Sequence, residues 1–258
     1  MSDDIARDRW SRPLIVPPEG GKPVGYSRWS SYGDVLEDRY NLERWKIRTA
    51  ATGLADRPDL LLSVAAHRDD KRQLDRLCDQ AIEAAKGSSA ATTGTALHKL
   101  TETVDAGEQL PALPSSAVAD LDAYRAATEP LTVVAVEQFV VCDDPQAAGT
   151  FDRIVEYAGT RYVADIKTGS VKWGIGKIAV QLAGYSRSVA YEPATGARTP
   201  LDVDQDRALV IHLPQGEGRC SLLWVDIAEG WRGVRMAQSV REWRKASKKL
   251  AVPAKEVA

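Results

Sequence analysis

With 258 residues, 44% of them hydrophobic and 27% charged, the chain has material for one large core, or for a core with a helical attachment, and is not a low-hydrophobicity disordered chain. No apolar run reaches about eighteen residues, which argues against a membrane-spanning helix. Met1 to Trp10 is polar and acidic, which argues against a secretory signal, so a cytoplasmic protein is expected. The formal net charge of −2 counts mildly against a nucleic-acid partner, although local patches can still bind phosphate.

Residues 1–26 carry Pro13, Pro17, Pro18, Gly20, Gly21 and Pro23 and read as an irregular arm. The remainder, 27–258, reads as a single domain, with 27–130 mainly helical and 131–250 an α/β core. Leu36, Tyr40 and Trp45 form an apolar stripe that Arg57-Pro58 interrupts. Leu74, Leu77, Cys78, Ala81 and Ile82 have the i, i+3, i+4 spacing of a second helix. Thr92 to Ala106 is a third, with Thr92 or Thr93 as N-cap and Gly107 as its stop. A short helix is expected from Ser115 to Ala127.

The texture then changes. Thr132 to Val141 is β-branched and apolar, the signature of a buried strand. Strands are expected over Gly149–Tyr157 and Arg161–Lys167 around a turn at Ala158-Gly159, followed by a helix from about Gly176 to Tyr191. Arg207–Leu213 and Cys220–Ile227 flank the turn Pro214 to Gly218, and a last helix runs from about Ala228 to Leu250. The order of helices, three strands, helix, two strands and helix suits an α/β core behind a helical N-terminal portion. Cys78, Cys142 and Cys220 are too scattered for a metal knuckle and suit a reducing compartment and small buried side chains.

The chemistry concentrates between Gly149 and Gly169. If Ala158-Gly159 is a tight turn, Tyr157 pairs with Thr160, and Asp152 falls opposite Asp165 at about 4.5–5.5 Å between Cβ atoms. Lys167, two residues beyond Asp165, shares its face. Two carboxylates so close are unfavourable unless a cation neutralises them, and hard oxygen ligands suit Mg²⁺ or Mn²⁺. The lysine can then orient or deprotonate a water, or neutralise a phosphate. Equally, the same residues can be solvated charges on an exposed hairpin, since Asp-x-Lys alone is common.

Four motifs stand in order here: Gly94-Thr95-Ala96-Leu97-His98, Gly149-x-x-Asp152, Asp165-Ile166-Lys167-Thr168-Gly169 and Gln181-Leu-Ala-Gly-Tyr185. Together they resemble the signature of RecB-type nucleases of the PD-(D/E)XK superfamily, the family of bacterial recombination machines, CRISPR-associated exonucleases and many phage exonucleases. The matches lie within residues 92–191, about two-fifths of the chain.

The resemblance implies a PD-(D/E)XK restriction-endonuclease-like core, a central mixed sheet flanked by helices, and a Mg²⁺- or Mn²⁺-dependent deoxyribonuclease, an exonuclease before an endonuclease. It implies metal ligation by Asp152, Asp165, the Ile166 carbonyl and His98, with Lys167 as the catalytic lysine. Gln181 and Tyr185, one turn apart, would orient Lys167 or hold the DNA strand, although Tyr185 can equally be core and Gln181 a solvated polar position. Glu137, on the preceding strand, would border the site or simply face solvent. Glu102, one turn after His98, would be its partner or an ordinary surface charge. Lys172, Trp173 and Lys177 are placed to meet DNA.

The last helix carries Arg232, Arg235, Arg241, Arg244, Lys245, Lys248 and Lys249 with Trp231 and Trp243. Its tryptophans are expected to pack on the sheet, leaving its charges wet or on a DNA backbone. The expected partners are linear DNA, single- or double-stranded, a recombinase or annealing protein, and further copies of the chain, with no membrane. Three cysteines cannot supply the four that hold an iron–sulfur cluster in some relatives, so no cluster is expected. No phosphate loop is present, so no nucleotide cofactor is expected. An endonuclease with the same site and a catalytically silent DNA-end-binding recombination partner are the competing readings.

Overall fold

The computed structural model describes residues 5–85 and 89–251, the side chains of 89–93 excepted. The expected N-cap at Thr92 or Thr93 lies outside the described side chains. In chain order the elements open with β1 (Leu14–Ile15), β2 (Val24–Gly25), β3 (Ser27–Arg28) and α1 (Trp29–Tyr32). Four longer helices follow, α2 (Tyr40–Asp56), α3 (Pro58–Ala66), α4 (Lys71–Ala84) and α5 (Ser89–Asp105), and then α6 (Ser115–Thr128). The rest is β4 (Thr132–Cys142), β5 (Ala147–Tyr157), β6 (Thr160–Lys167), α7 (Ile175–Ser186), β7 (Val189–Tyr191), β8 (Arg198–Pro200), β9 (Arg207–His212), β10 (Ser221–Asp226) and α8 (Ile227–Ala246). The chain divides into two compact units, Met1–Glu37 with Leu100–Ala258, and Asp38–Lys99.

The larger unit is α/β, built on a mixed sheet in the order β10-β9-β6-β5-β4-β7-β8, with β3 parallel to β5. The β5–β6 hairpin turns at Ala158 and Gly159, with φ of 50° and 80°, and pairs Tyr157 with Thr160. Positive φ at both turn residues matches the right-handed twist of the strands, which is why a two-residue turn closes here. β6 then runs parallel to β9, a pairing that needs the crossover through α7. α7 is apolar on most of its surface because it is covered on several sides. Val180, Leu182, Ala183 and Tyr185 join Trp29, Phe151, Val210 and Val234 in the main core. Gly184 lets the Trp29 ring lie on the helix, where a Cβ would come within 2.4 Å of it.

α5, α6 and β5 share a buried polar network. The buried Arg153 guanidinium donates to Asp105 at 2.6 Å and to Thr101 at 3.3 Å, and the Tyr124 hydroxyl donates to Asp105 at 2.8 Å. Such a pair holds its partners firmly because removing either one strands a buried charge. α5 stops as the sequence indicates. Gly107 takes φ 67°, its N–H reaches the Val104 carbonyl, and the Glu108 N–H reaches that of Thr103.

Several expectations are corrected. Residues 5–26 do not form an irregular arm throughout. β1 and β2 pair, and Ile5, Ile15 and Tyr26 are buried against Phe139, Val141, Ala148 and Tyr191. Asp143 clamps the segment, accepting from Tyr26 at 2.7 Å and from Arg198, whose guanidinium also donates to the Val16 carbonyl. The helix expected to reach Tyr191 ends at Ser186, and Val189–Tyr191 becomes a strand beside β4. The run around Val189 and Tyr191 is too short for periodicity to assign, so the partner strand decides it. The stripe of Leu36, Tyr40 and Trp45 is exposed rather than core-forming. In the Asp38–Lys99 unit it is Leu60, Leu77 and Ala81 that form the core, with Leu54 and Val64 packed against it. The cysteines are not buried: Cys78 is exposed and the others are intermediate. Among the described residues no helix is long and apolar enough to cross a membrane.

Candidate active site

The hairpin register decides which residues meet. β5 and β6 pair from Tyr157–Thr160 to Arg153–Ala164, and the next position in that count holds Asp152 and Asp165. Backbone pairing stops one position short of them. Instead, the Asp152 carboxylate accepts the Ile166 N–H at 2.8 Å, so a side chain takes the place of a ladder bond. On the other side of β5, Val136 pairs with Arg153 and Gln138 with Phe151, which sets Glu137 at the level of Asp152. Glu137 has φ 49° in mid-strand, a left-handed conformation that a non-glycine residue holds only under surrounding constraint. Glu137, Asp152 and Asp165 therefore occupy one row across three neighbouring strands.

Lys167 lies at the end of β6 with its ammonium 2.5 Å from the buried Asp165 carboxylate. Beyond it, the Leu213 N–H donates to the Lys167 carbonyl and the Gln215 N–H to that of Thr168, so Lys167-Thr168 continues the parallel pairing past β9. The turn after β9 is held from α6, where the buried Asp120 accepts from the Gly216 and Gly218 amides at 2.6 and 2.8 Å. His212, paired in register with Lys167, bonds the Gly169 carbonyl at 3.0 Å. Nothing local in the sequence marks this histidine, because its place depends on strands more than forty residues apart.

α7 supplies Gln181 and Tyr185. Tyr185 is 3% exposed and sits edge-on to Phe151 at 6.4 Å, so it is a core residue whose hydroxyl meets the Gln181 amide at 3.1 Å. Gly149 explains its own motif: a Cβ there would stand 3.0 Å from the Tyr185 ring and 3.2 Å from its hydroxyl. The Gly-x-x-Asp spacing thus leaves room for the tyrosine beside the row.

The electrostatics tie these residues together. Burial pushes the Asp152 carboxyl up to about 6, opposed by the Ile166 amide and Lys167 and reinforced by Glu137. Glu137 is exposed at its surface, yet its carboxyl is raised, first by the desolvation of its surroundings and then by Glu102 and Asp165, against the pull of Arg153. The Tyr185 hydroxyl is raised by burial, Asp165, Asp152 and Glu137. Glu102 on α5 therefore acts on the row from outside the sheet.

The other expected residues lie on further elements. His98 is half-buried on α5 in the Asp38–Lys99 unit. Lys172 and Trp173 are exposed and stacked on each other, ammonium to ring centroid 5.0 Å, whereas Lys177 is ion-paired with Asp34 at 2.5 Å. On α8, Trp231 packs against the core between Arg187 and Arg235, but Trp243 is 61% exposed, against the expectation that both pack. Arg241 is held by Ser27 and the Tyr32 ring.

The side-chain donors of the row are hard oxygens, the carboxylates of Glu137, Asp152 and Asp165. That donor set fits a hard divalent cation in kind, and the burial that raises Asp152 is what such a charge would relieve. Among the described residues, however, no group of three His, Cys, Asp or Glu side chains is close enough to hold an ion as it stands, and Lys167 pairs with Asp165. No family model matches the chain, and no curated protein matches it.

Proposed function

We propose that this chain is a Mg²⁺- or Mn²⁺-dependent DNA nuclease with a PD-(D/E)XK-type core, an exonuclease before an endonuclease, acting in recombination, repair or phage DNA processing. The observation that carries the reading is the row of Glu137, Asp152 and Asp165 across three strands, with Lys167 on Asp165 and the Gln181–Tyr185 pair on the neighbouring helix. Acidic side chains converging beside a lysine are wasteful for folding, since like charges in partial burial oppose the folded state. Their convergence is explained if they bind a cation and a phosphate.

Asp152 and Asp165 would hold the ion, with the Ile166 carbonyl and Glu137 beside them. Bound there, the cation would supply Lewis-acid stabilisation of the phosphate and a more acidic water. Lys167 would orient that water or neutralise the phosphate, and Gln181 would fix the tyrosine hydroxyl and the strand. A DNA-end-binding protein without activity would not need Lys167 in this place.

The experiment incubates the full chain with end-labelled linear and closed circular DNA, with Mn²⁺ or with EDTA. Loss of the linear form alone, in Mn²⁺ alone, is expected. Lys167→Ala should abolish cleavage with DNA binding retained. Near-normal turnover in that variant would remove the lysine, and the reading with it.

A further inference from the structure

Among the described residues, the first half of α2 is exposed to solvent. Every residue from Asp38 to Arg48 is exposed, although the stretch includes Tyr40, Leu42, Trp45 and Ile47. The helix is anchored only further on, where Gly53 lies directly against the Ala81 backbone of α4 and Leu54 joins the Leu60–Leu77–Ala81 core. At 3.6 residues per turn, the side of α2 facing away from Gly53 and Leu54 carries Arg44, Arg48, Asn41 and Trp45, with Tyr40 at its edge, one turn before Arg44. Those five residues span an arc of roughly 140° that contains no carboxylate. Glu43, the acid in this half of the helix, lies towards the packed side. Among the described residues neither Arg44 nor Arg48 has an ion-pair or side-chain hydrogen-bond partner, although ion pairs occupy Arg57 in the same unit.

We infer that this face of α2 binds a single strand of DNA, with Arg44 and Arg48 on successive phosphates and Tyr40 and Trp45 stacking on bases. The inference rests on the nuclease reading for the kind of nucleic acid, and on α2 itself for the surface. Charge complementarity selects the occupant. A second copy would bring four cations and one acid of 39–48 against the same set, which repel. A membrane or a protein groove would need the apolar side chains on one face, whereas Leu42 with Trp45 and Tyr40 with Ile47 form two pairs on roughly opposite sides of the helix. Two exposed aromatic rings flanking two unpaired guanidiniums match a strand whose bases are free to stack; bases in a duplex are already stacked on each other.

The test is fluorescence anisotropy of labelled oligothymidylate with the full chain in EDTA, over a series of salt concentrations. Arg44→Ala with Arg48→Ala should flatten the salt dependence by about 1.4 in the slope of log K against log salt, about 0.7 for each phosphate lost. Tyr40→Ala with Trp45→Ala should weaken binding by about fivefold or more, with little change in slope. Both variants should keep the wild-type unfolding midpoint, since the altered side chains are exposed. Wild-type affinity and slope in both would overturn the inference. So would equal affinity for a blunt duplex with no effect of the aromatic pair, or a dimer that the aromatic pair dissolves while DNA binding is unchanged. Binding is read without metal, so absence of cleavage in Mn²⁺ would defeat the nuclease reading and leave this measurement standing.

Discussion

Asp152→Asn should make the metal-free protein more stable at pH 8 and remove the proposed activity. The Asp152 carboxyl is displaced from 3.8 to about 6, chiefly by burial. Between those values the folded chain keeps a proton that the unfolded chain has released. Stability is therefore fully present below about pH 4 and falls as pH rises through about 6. A displacement of roughly two pH units, at about 1.4 kcal/mol each, amounts to about 3 kcal/mol at pH 8. The asparagine carries no charge to desolvate, and its oxygen can still accept the Ile166 N–H that Asp152 accepts at 2.8 Å. The hydrogen bond is kept while the ionisation penalty disappears. For a chain of 258 residues, about 3 kcal/mol corresponds to a rise in Tm of about 5 °C. The assay is thermal unfolding of both proteins in EDTA at pH 4 and pH 8. The two should melt together at pH 4 and separate at pH 8, and Mn²⁺ should raise the wild type alone. Equal midpoints at both pH values would show that Asp152 ionises without penalty, and the argument for a cation at the row would lose its energetic basis.

Tyr185→Ala should destabilise by about 3–5 kcal/mol as a large-to-small core change, whereas Tyr185→Phe should keep most of the stability and slow cleavage moderately; urea unfolding and turnover of both variants check this, and a mildly destabilised alanine variant would contradict the burial. Gly149→Ala puts a methyl 3.0 Å from that ring and should cost about 1–3 kcal/mol with a fall in turnover, restored in part when combined with Tyr185→Phe; a silent alanine would show that the tyrosine is free to move. Arg153→Ala leaves Asp105 buried without its cation and should cost about 3–5 kcal/mol at neutral pH, by denaturant midpoint, with much of the loss recovered by adding Asp105→Asn. An unrecovered loss would mean that the network matters through packing alone.

What the sequence determined is what depends on neighbours along the chain. The β5–β6 turn is readable because Ala158-Gly159 separates two β-branched runs by two residues, and that turn alone carries the pairing to the level of Asp152 and Asp165. The end of α5 is readable because a glycine at the right offset can adopt positive φ. The spacing of Lys167 from Asp165 is a property of any strand. The tertiary structure decided what depends on partners distant in sequence. Glu137 enters the row through the β4 register, which a shift between Val133 and Ala135 resets. Val189–Tyr191 is a strand because β4 offers it an edge, and Ile5, Ile15 and Tyr26 are buried because the sheet receives them. Tyr185 combines both readings held open by its sequence: its ring is core and its hydroxyl turns to Gln181 beside the carboxylates, a distinction that no helical periodicity carries. Local backbone preferences act over a few residues, whereas burial and strand pairing are settled by contacts that exist only once the chain has folded.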